Sequence, residues 1–293
     1  MKYSVRYNRS LDLKSFDEII IELKDEKYED LLGFFNRYSD KRIVIKIDDC
    51  SNFLEENKIE LFKQLEEENP EFNYTFLLKK YDLDKKTEVI QLLYDNDFSY
   101  YVEDFISDEE EMWNAIRTGY SDVIITDSLC FYLEDIAPIL HSYGINVRVF
   151  PNICQRKFLH GNDIKSFFIR AEDVKIYEPY VDIFEFWGED NQQEAYKNIY
   201  SKSKQWVGPL NQYIIGFKGE VEGHHILPTF GERRLGCGRS CLRGGRCRLC
   251  DAYIQLSSTL KENDLVLVNE EMDAIKSKSD FINIDWYFWK NII

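Results

Sequence analysis

Short β-branched segments alternate with amphipathic helical stretches along most of this 293-residue chain. Several segments are continuous apolar runs, such as Val123-Ile124-Ile125, and not strict alternations of apolar and polar residues. Such runs are typical of parallel strands that helices cover from outside. The predicted strands are residues 2–7, 18–23, 42–47, 74–78, 98–102, 122–126, 146–150, 166–169 and 182–186.

Eight or nine strand–helix units of this kind favour a (β/α)8 TIM-like barrel within an α/β fold. An open doubly wound sheet is the alternative, because periodicity alone does not show closure. We predict a barrel over residues 1–206, an irregular segment with a metal-binding knuckle over residues 207–256, and a tail over residues 257–293 that packs on the barrel. Because the tail carries an aromatic group at 286–289, a partner-docking surface is its alternative role.

The helix after the fifth predicted strand carries both a start and a stop signal. Ser107 and Glu110 have the spacing of a capping box, in which each side chain bonds the other residue's backbone N–H. Gly119 can end the helix because glycine accepts a left-handed conformation at little cost. We therefore predict a helix between these residues.

Four cysteines lie within fourteen residues of each other in the irregular segment, with the spacing C-x3-C-x5-C-x2-C. Two short loops of this kind can each offer two thiolates to one metal ion, and the glycines between them permit tight turns. Two disulfides are the alternative, but disulfide frameworks are typical of small secreted domains, and the sequence given begins without an apolar signal segment. The predicted metal ligands are Cys237, Cys241, Cys247 and Cys250.

Arginines surround these cysteines, although the formal net charge of the chain is −16. They could hold a phosphate-bearing ligand or nucleic acid by charge-assisted hydrogen bonds. They could equally balance the negative charge of a four-thiolate metal site. The predicted substrate-binding residues are Arg233, Arg234, Arg239, Arg243, Arg246 and Arg248.

Polar residues follow most predicted strands, where barrel enzymes keep their catalytic groups. If the strands close into a barrel, carboxylates, an amide and a guanidinium meet at one mouth and suit acid–base chemistry with anion binding. Helix capping is the structural alternative for any one of them. The predicted catalytic residues are Asp48, Asp49, Glu103, Asp104, Asp127, Asn152, Arg170 and Glu185.

Isolated cysteines and histidines give weaker signals. Cys50, Cys130 and Cys154 each follow a predicted strand, and we expect them to be buried as small hydrophobic residues. His224 and His225 precede the knuckle, and we place them outside a metal shell that four thiolates already complete. The sequence contains none of the common nucleophile, zinc-protease or phosphate-loop motifs.

The order of these elements, the opening Met1-Lys2-Tyr3-Ser4-Val5 and the passage GINVRVFPN at 144–152 resemble the collagenase-like peptidases, family U thirty-two. That family includes proteins linked to hydroxylation of RNA bases and of ubiquinone, and some members hold a four-iron four-sulfur cluster on four cysteines. The resemblance thus implies RNA modification and an iron–sulfur cluster as expectations. Zinc is our predicted metal because it suits a short glycine-rich knuckle, and the cluster is the alternative.

Two functions of different kinds remain open. The first is a barrel enzyme that acts on nucleic acid or another phosphate-bearing substrate. The second is a binding or adaptor protein without catalysis, in which a zinc knuckle binds RNA, DNA or a protein partner. If neither function applies, the zinc has only the structural role of pinning the irregular segment after the last strand. A peptidase is least supported by the residues, since no nucleophile pair or catalytic metal site is recognisable. We expect a cytoplasmic protein without membrane spans, because no apolar stretch reaches the length of about 18 residues that a span needs.

Overall fold

The computed structural model describes residues 1–6, 13–22, 28–79, 83–103, 105–126, 129–152, 167–186, 190–202, 210, 214, 223, 226 and 230–235. The strands are β1 (Lys2–Arg6), β2 (Glu18–Glu22), β3 (Arg42–Ile47), β4 (Tyr74–Lys79), β5 (Tyr100–Glu103), β6 (Phe105–Ile106), β7 (Asp122–Ile125), β8 (Asn146–Val149) and β9 (Ile183–Glu185). The α-helices are α1 (Tyr28–Arg37), α2 (Cys50–Glu55), α3 (Lys58–Glu68), α4 (Leu83–Asp95), α5 (Glu109–Thr118), α6 (Leu133–Ser142), α7 (Val174–Tyr177), α8 (Asp190–Ser201) and α9 (Phe230–Leu235).

The strands of the described part form one parallel sheet with the hydrogen-bonded order β5-β4-β3-β2-β1-β9-β8-β7-β6. Although β5 and β6 stand at opposite ends of this order, only residue 104 separates them in the chain. The Ser121 N–H donates to the Tyr100 carbonyl at 2.8 Å, and the Thr126 N–H donates to that of Ile106 at 3.0 Å. The sheet is therefore a nearly closed barrel with helices around it, and the prediction of an α/β barrel is confirmed at this level.

The strand predicted at 166–169 is wrong. Phe167 makes an isolated bridge, and the three residues that follow it belong to no strand or helix. The rings of Phe167 and Phe168 instead pack against Phe131 and Phe230, with centroid distances of 5.4 and 5.9 Å. A buried apolar run looks the same in sequence whether its backbone pairs in a sheet or its side chains only fill the core.

The barrel separates two hydrophobic clusters. The outward strand faces pack against the helices, to which α1 contributes Leu31 and Phe35, and α3 contributes Phe62 and Leu65. Inside the barrel the apolar cluster is small, and the remaining inward positions of the strands are largely polar. The buried members of the inner cluster are Ile20, Val44, Leu77, Tyr101, Ile124 and Phe150.

Helix α5 is capped one residue later than the predicted capping box implies. Asp108 is the N-cap, and its side chain accepts from the Glu111 N–H at 2.9 Å, while the Glu111 carboxylate accepts from the Ser107 N–H at 2.8 Å. The predicted pair of Ser107 and Glu110 is therefore wrong, because adjacent acids offer the same spacing. Gly119 ends the helix with φ of 78°, as predicted.

The described residues of the irregular segment pack against the outside of the barrel. Leu210, Ile214, Ile226, Phe230 and Leu235 are buried in the outer cluster. The remainder of the segment, including the predicted metal knuckle, and the whole tail 257–293 lie outside the described residues. Of the helices that are described, none is both long and apolar enough to cross a membrane.

Candidate functional site at the barrel mouth

Charged side chains line the inner face of the barrel where its strands end. Successive residues of a strand point to opposite faces of the sheet, and residues in register on neighbouring parallel strands point to the same face. Lys79 and Glu103 are in register and share a face, and so do Glu22 and Lys46. We call the following residues the mouth cluster: Arg6, Lys46, Asp48, Lys79, Glu103 and Glu185.

Arg6 joins two carboxylates across the mouth. Its Nη2 donates to Glu103 Oε1 at 2.8 Å and to Glu185 Oε1 at 3.1 Å. These carboxylates lie on β5 and β9, on either side of the barrel, so one guanidinium ties distant strands together. Its side chain is about one third exposed, so solvent also reaches this bridge.

Two lysines form further ion pairs beside the bridge made by Arg6. Lys46 Nζ lies 3.6 Å from Glu103 Oε2 and 3.5 Å from Asp48 Oδ1, and Lys79 Nζ lies 2.8 Å from the same Asp48 oxygen. The Lys46 side chain is buried, whereas that of Lys79 is 42% exposed. Cations and carboxylates thus alternate along the rim from Glu185 to Lys79.

Glu185 is the most deeply placed carboxylate of the mouth cluster, with a side chain only 2% exposed. Burial raises the pKa of Glu185, because a low-dielectric surrounding disfavours the charged carboxylate, while Arg6 and Arg148 oppose the rise. Its second oxygen lies 3.8 Å from Arg148 Nη1. A buried carboxyl with a raised pKa, hydrogen-bonded to the partly exposed Arg6, has the properties of a general acid or base.

A second charged group lies deeper in the barrel, and we call it the floor network: Glu18, Arg42, Asp122 and Arg148. Arg148 donates to Glu18 at 2.7 Å and to Asp122 at 3.0 Å, and Arg42 donates to both Asp122 oxygens at 2.7 and 2.6 Å. Burial would raise the pKa of Asp122, but Arg148 and Arg42 outweigh it and lower the pKa to about 2. The Arg148 guanidinium also lies 4.7 Å from the ring centroid of Tyr101.

Two hydroxyl groups on the inner face have no hydrogen-bond partner within the described residues: Ser4 Oγ and the Tyr101 hydroxyl. Both side chains are fully buried. Ser4 stands in register with Glu18 on one side and Glu185 on the other. Burial raises the pKa of Tyr101 well above its ordinary value, so its hydroxyl stays protonated as a potential donor.

The structure brings together three of the predicted catalytic residues, namely Asp48, Glu103 and Glu185, in the mouth cluster. Asp49 instead caps α2, where its side chain accepts from the Asn52 N–H at 3.0 Å. Asn152 is fully buried, and its side chain hydrogen-bonds Tyr196 of α8. Helix α8 also brings Gln193 to the mouth, where its Oε1 accepts from the Arg6 N–H at 3.4 Å.

Two predicted arginines lie together outside the mouth cluster. Arg170 holds Asp173 through two hydrogen bonds of 2.7 and 2.9 Å, and it donates to the Ile226 carbonyl at 3.2 Å. Arg234 is 1% exposed, and its guanidinium lies 4.6 Å from the ring centroid of Phe131 and 5.2 Å from that of Phe230. These contacts attach the irregular segment to the barrel.

Cys50 and Cys130 are buried in the outer cluster, as expected for small hydrophobic residues. No group of three or more metal-ligating side chains occurs among the described residues. The remaining residues that the sequence analysis discussed, or their side chains, lie outside the described ones: the predicted site residues Asp104, Asp127, Arg233, Cys237, Arg239, Cys241, Arg243, Arg246, Cys247, Arg248 and Cys250, and also Cys154, His224 and His225.

Sequence reasoning missed the basic half of the mouth and the whole floor network. The signal was present in β3, where Arg42 and Lys46 alternate with apolar residues around Val44. A charged residue at every second or fourth position of an otherwise apolar strand predicts a polar inner face. The same reasoning applies to Arg6 in β1 and Arg148 in β8.

No protein-family model matches the sequence, and no curated protein matches it significantly.

Proposed function

We propose that this protein is an enzyme that performs acid–base chemistry on a phosphate-bearing substrate at the mouth cluster. The observation that carries the proposal is Glu185, a buried carboxyl of raised pKa that is held by Arg6 at the carboxyl end of a parallel barrel. Barrel enzymes place their chemistry at this end. Glu185 is the proposed proton donor or acceptor, because a pKa nearer neutrality favours transfer in both directions.

Lys79 is the proposed first contact for the phosphate. The side chains of Lys79 and Asp48 are 42% and 30% exposed, so their ion pair lies partly in solvent and contributes less stability than a fully buried pair. An incoming phosphate can therefore replace Asp48 at Lys79 without a large loss. Lys46 lies behind it, with contacts of 3.5 and 3.6 Å that leave its ammonium group able to turn toward a stronger acceptor.

The test begins with calorimetric titration of ribose 5-phosphate into the full chain. Lys79→Ala should weaken binding about tenfold or more, since a charge-assisted hydrogen bond is lost. Lys85→Ala is the matched control, because Lys85 is 45% exposed and also pairs with a carboxylate, but lies on α4. Equal affinities for all three proteins would refute phosphate binding at the mouth.

Turnover is tested with a panel of sugar phosphates and nucleotides, followed by phosphorus and proton NMR. Glu185→Gln should retain ribose 5-phosphate binding and slow any reaction found by about 10²- to 10⁴-fold, the usual contribution of a general acid or base. A Glu185→Gln variant that converts the substrate as fast as the original protein would show that Glu185 takes no part in the chemistry.

The cysteine-rich segment supports a further part of this proposal. Cys237, Cys241, Cys247 and Cys250 would hold zinc or, alternatively, a four-iron four-sulfur cluster, and the arginines between them would contact phosphate or nucleic acid. The coincidence of thiolates and guanidinium groups in one short stretch also favours the second candidate, a non-catalytic knuckle protein that binds a partner. RNA modification and a cytoplasmic location stay predictions of the sequence.

Metal analysis and an absorption spectrum of anaerobically purified protein distinguish the two metals, because only an iron–sulfur protein is brown. A triple change of Arg239, Arg243 and Arg246 to Ala should weaken nucleic-acid retention and flatten its salt dependence if the knuckle grips phosphate. Unchanged retention would leave charge balance as the role of these arginines.

A further inference from the structure

Phe105 lies on the inner face of the barrel at its mouth. The register of β6 and β7 pairs it with Ile124, a member of the inner cluster, while its neighbour Ile106 pairs with Ile125, which belongs to the outer cluster. Its ring centroid lies 5.9 Å from that of Phe150, another inner residue, at an interplanar angle of 58°. Phe105 therefore lies on the inner face beside the inner apolar cluster, two residues after Glu103 of the mouth cluster.

Its exposure sets Phe105 apart from the apolar residues of the inner cluster. The residue is 41% exposed, whereas Phe150, whose ring it contacts, is 2% exposed. A single exposed apolar side chain is common on protein surfaces and by itself means nothing. Here, however, Phe105 packs against the buried ring of Phe150 and still keeps 41% of its surface exposed.

The position of Phe105 relative to Lys79 indicates which kind of ligand could contact both residues. Lys79, the last residue of β4, is in register with Glu103, the last residue of β5, and Phe105 begins β6 two residues later. One strand spacing of about 4.8 Å and a reach of at most about 7 Å for two residues of chain place the Cα atoms of Phe105 and Lys79 within roughly 12 Å of each other. An aromatic surface and an exposed ammonium group at this separation are complementary to a planar ring that carries a phosphate.

We propose that Phe105 stacks with the aromatic base of a free nucleotide whose phosphate is held by Lys79. This inference rests on the proposed function and names its substrate class. Bases of every kind can stack on an aromatic side chain, so the contact selects for a planar ring and not for one base. A free nucleotide is favoured over a nucleic-acid strand, since the net charge of −16 repels a polyanion more strongly than a small anion.

The experiment compares adenosine 5′-monophosphate with ribose 5-phosphate, which lacks the base, by calorimetric titration. The nucleotide should bind the original protein more tightly. Phe105→Ala should weaken nucleotide binding about 5- to 150-fold and leave ribose 5-phosphate binding unchanged, whereas Phe105→Trp should retain nucleotide binding. Tyr94→Ala is the control, because Tyr94 is 64% exposed but lies on α4.

The possible failures are distinguishable. Equal affinity for the two ligands, or a Phe105→Ala variant that binds the nucleotide normally, overturns the stacking role while the phosphate site at Lys79 stands. If neither ligand binds, both the stacking role and the proposed function fail. A short single-stranded oligonucleotide that binds much more tightly than the mononucleotide, and loses that affinity in Phe105→Ala, overturns the assignment to a free nucleotide.

Discussion

Arg148 donates hydrogen bonds from two guanidinium nitrogens to the carboxylate of Glu18, at 2.7 and 2.5 Å, with both side chains sealed inside the barrel. Its third nitrogen donates to Asp122 at 3.0 Å, so all three nitrogens along the edges of the planar guanidinium donate to carboxylates. Two cations and two carboxylates make the floor network formally neutral. Such a network tolerates burial only while each charge keeps its partners.

Arg148→Met should therefore destabilise the protein strongly. The change leaves Glu18 buried without its principal cation, and removal of one partner from a buried pair typically lowers the free energy of unfolding by about 3–5 kcal/mol. Arg37→Met, at an exposed position in the last turn of α1, is the control and should change it by less than about 0.5 kcal/mol. Denaturant unfolding measures both, and a similar small change in the two variants would contradict a structural role for the floor network.

The lowered pKa of Asp122 predicts that the protein loses stability in acid. Its pKa falls from 3.8 to about 2 on folding, so the carboxylate stabilises the fold at a pH above its unfolded value, and this contribution is lost as the pH falls toward 2. The shift corresponds to roughly 2 kcal/mol. Asp122→Asn should lower the free energy of unfolding near neutral pH, and the difference from the original protein should shrink below about pH 4. A difference that stays constant with pH would mean that Asp122 does not titrate in this way.

The sequence was sufficient to predict the barrel and part of its mouth. Apolar runs such as 123–125, followed by amphipathic helices, have the pattern of covered parallel strands whatever their tertiary partners. Asp48 and Glu103 were predicted because a strand end is visible in the sequence, and the carboxyl ends of parallel strands share one side. These inferences need only local periodicity and the rule that parallel strands point the same way.

The ion pairs could not be predicted, because they depend on closure and register. Arg42 and Asp122 are 80 residues apart and meet only because β3 and β7 face each other across the closed barrel. Phe105 is similar, since its inward direction follows from pairing with Ile124 and not from any pattern around it. Arg170, in contrast, was expected at the mouth, yet its short-range pairing with Asp173 lies elsewhere.

The raised pKa of Glu185 predicts a pH dependence of stability that is opposite in sign to the one expected for Asp122. Burial raises its folded pKa above the unfolded value of 4.5, so its contribution is fully present below that value and is lost as the pH rises through the folded pKa. Glu185→Gln cannot ionise and avoids this loss. The stability of the variant relative to the original protein should thus improve in equilibrium unfolding as the pH rises above about 4.5. A relative stability that declines over this range would show that Arg6 and Arg148 outweigh burial.

Two glycines in helices offer a matched pair of substitutions. A Cβ atom at Gly231 of α9 would lie 2.5 Å from Asp173 Cγ, and the two hydrogen bonds from Arg170 hold that carboxylate in place. Overpacking of this kind costs about 1–3 kcal/mol, so Gly231→Ala should lower the free energy of unfolding. At Gly33 of α1 the added Cβ would meet nothing within 4 Å, and Gly33→Ala should raise it by about 0.5–1 kcal/mol, the advantage of alanine over glycine in a helix. Thermal and denaturant unfolding of the two variants measure these opposite effects. A stabilised Gly231→Ala protein would show that α9 does not press against the Arg170–Asp173 pair, and with it that the irregular segment is attached to the barrel in some other way.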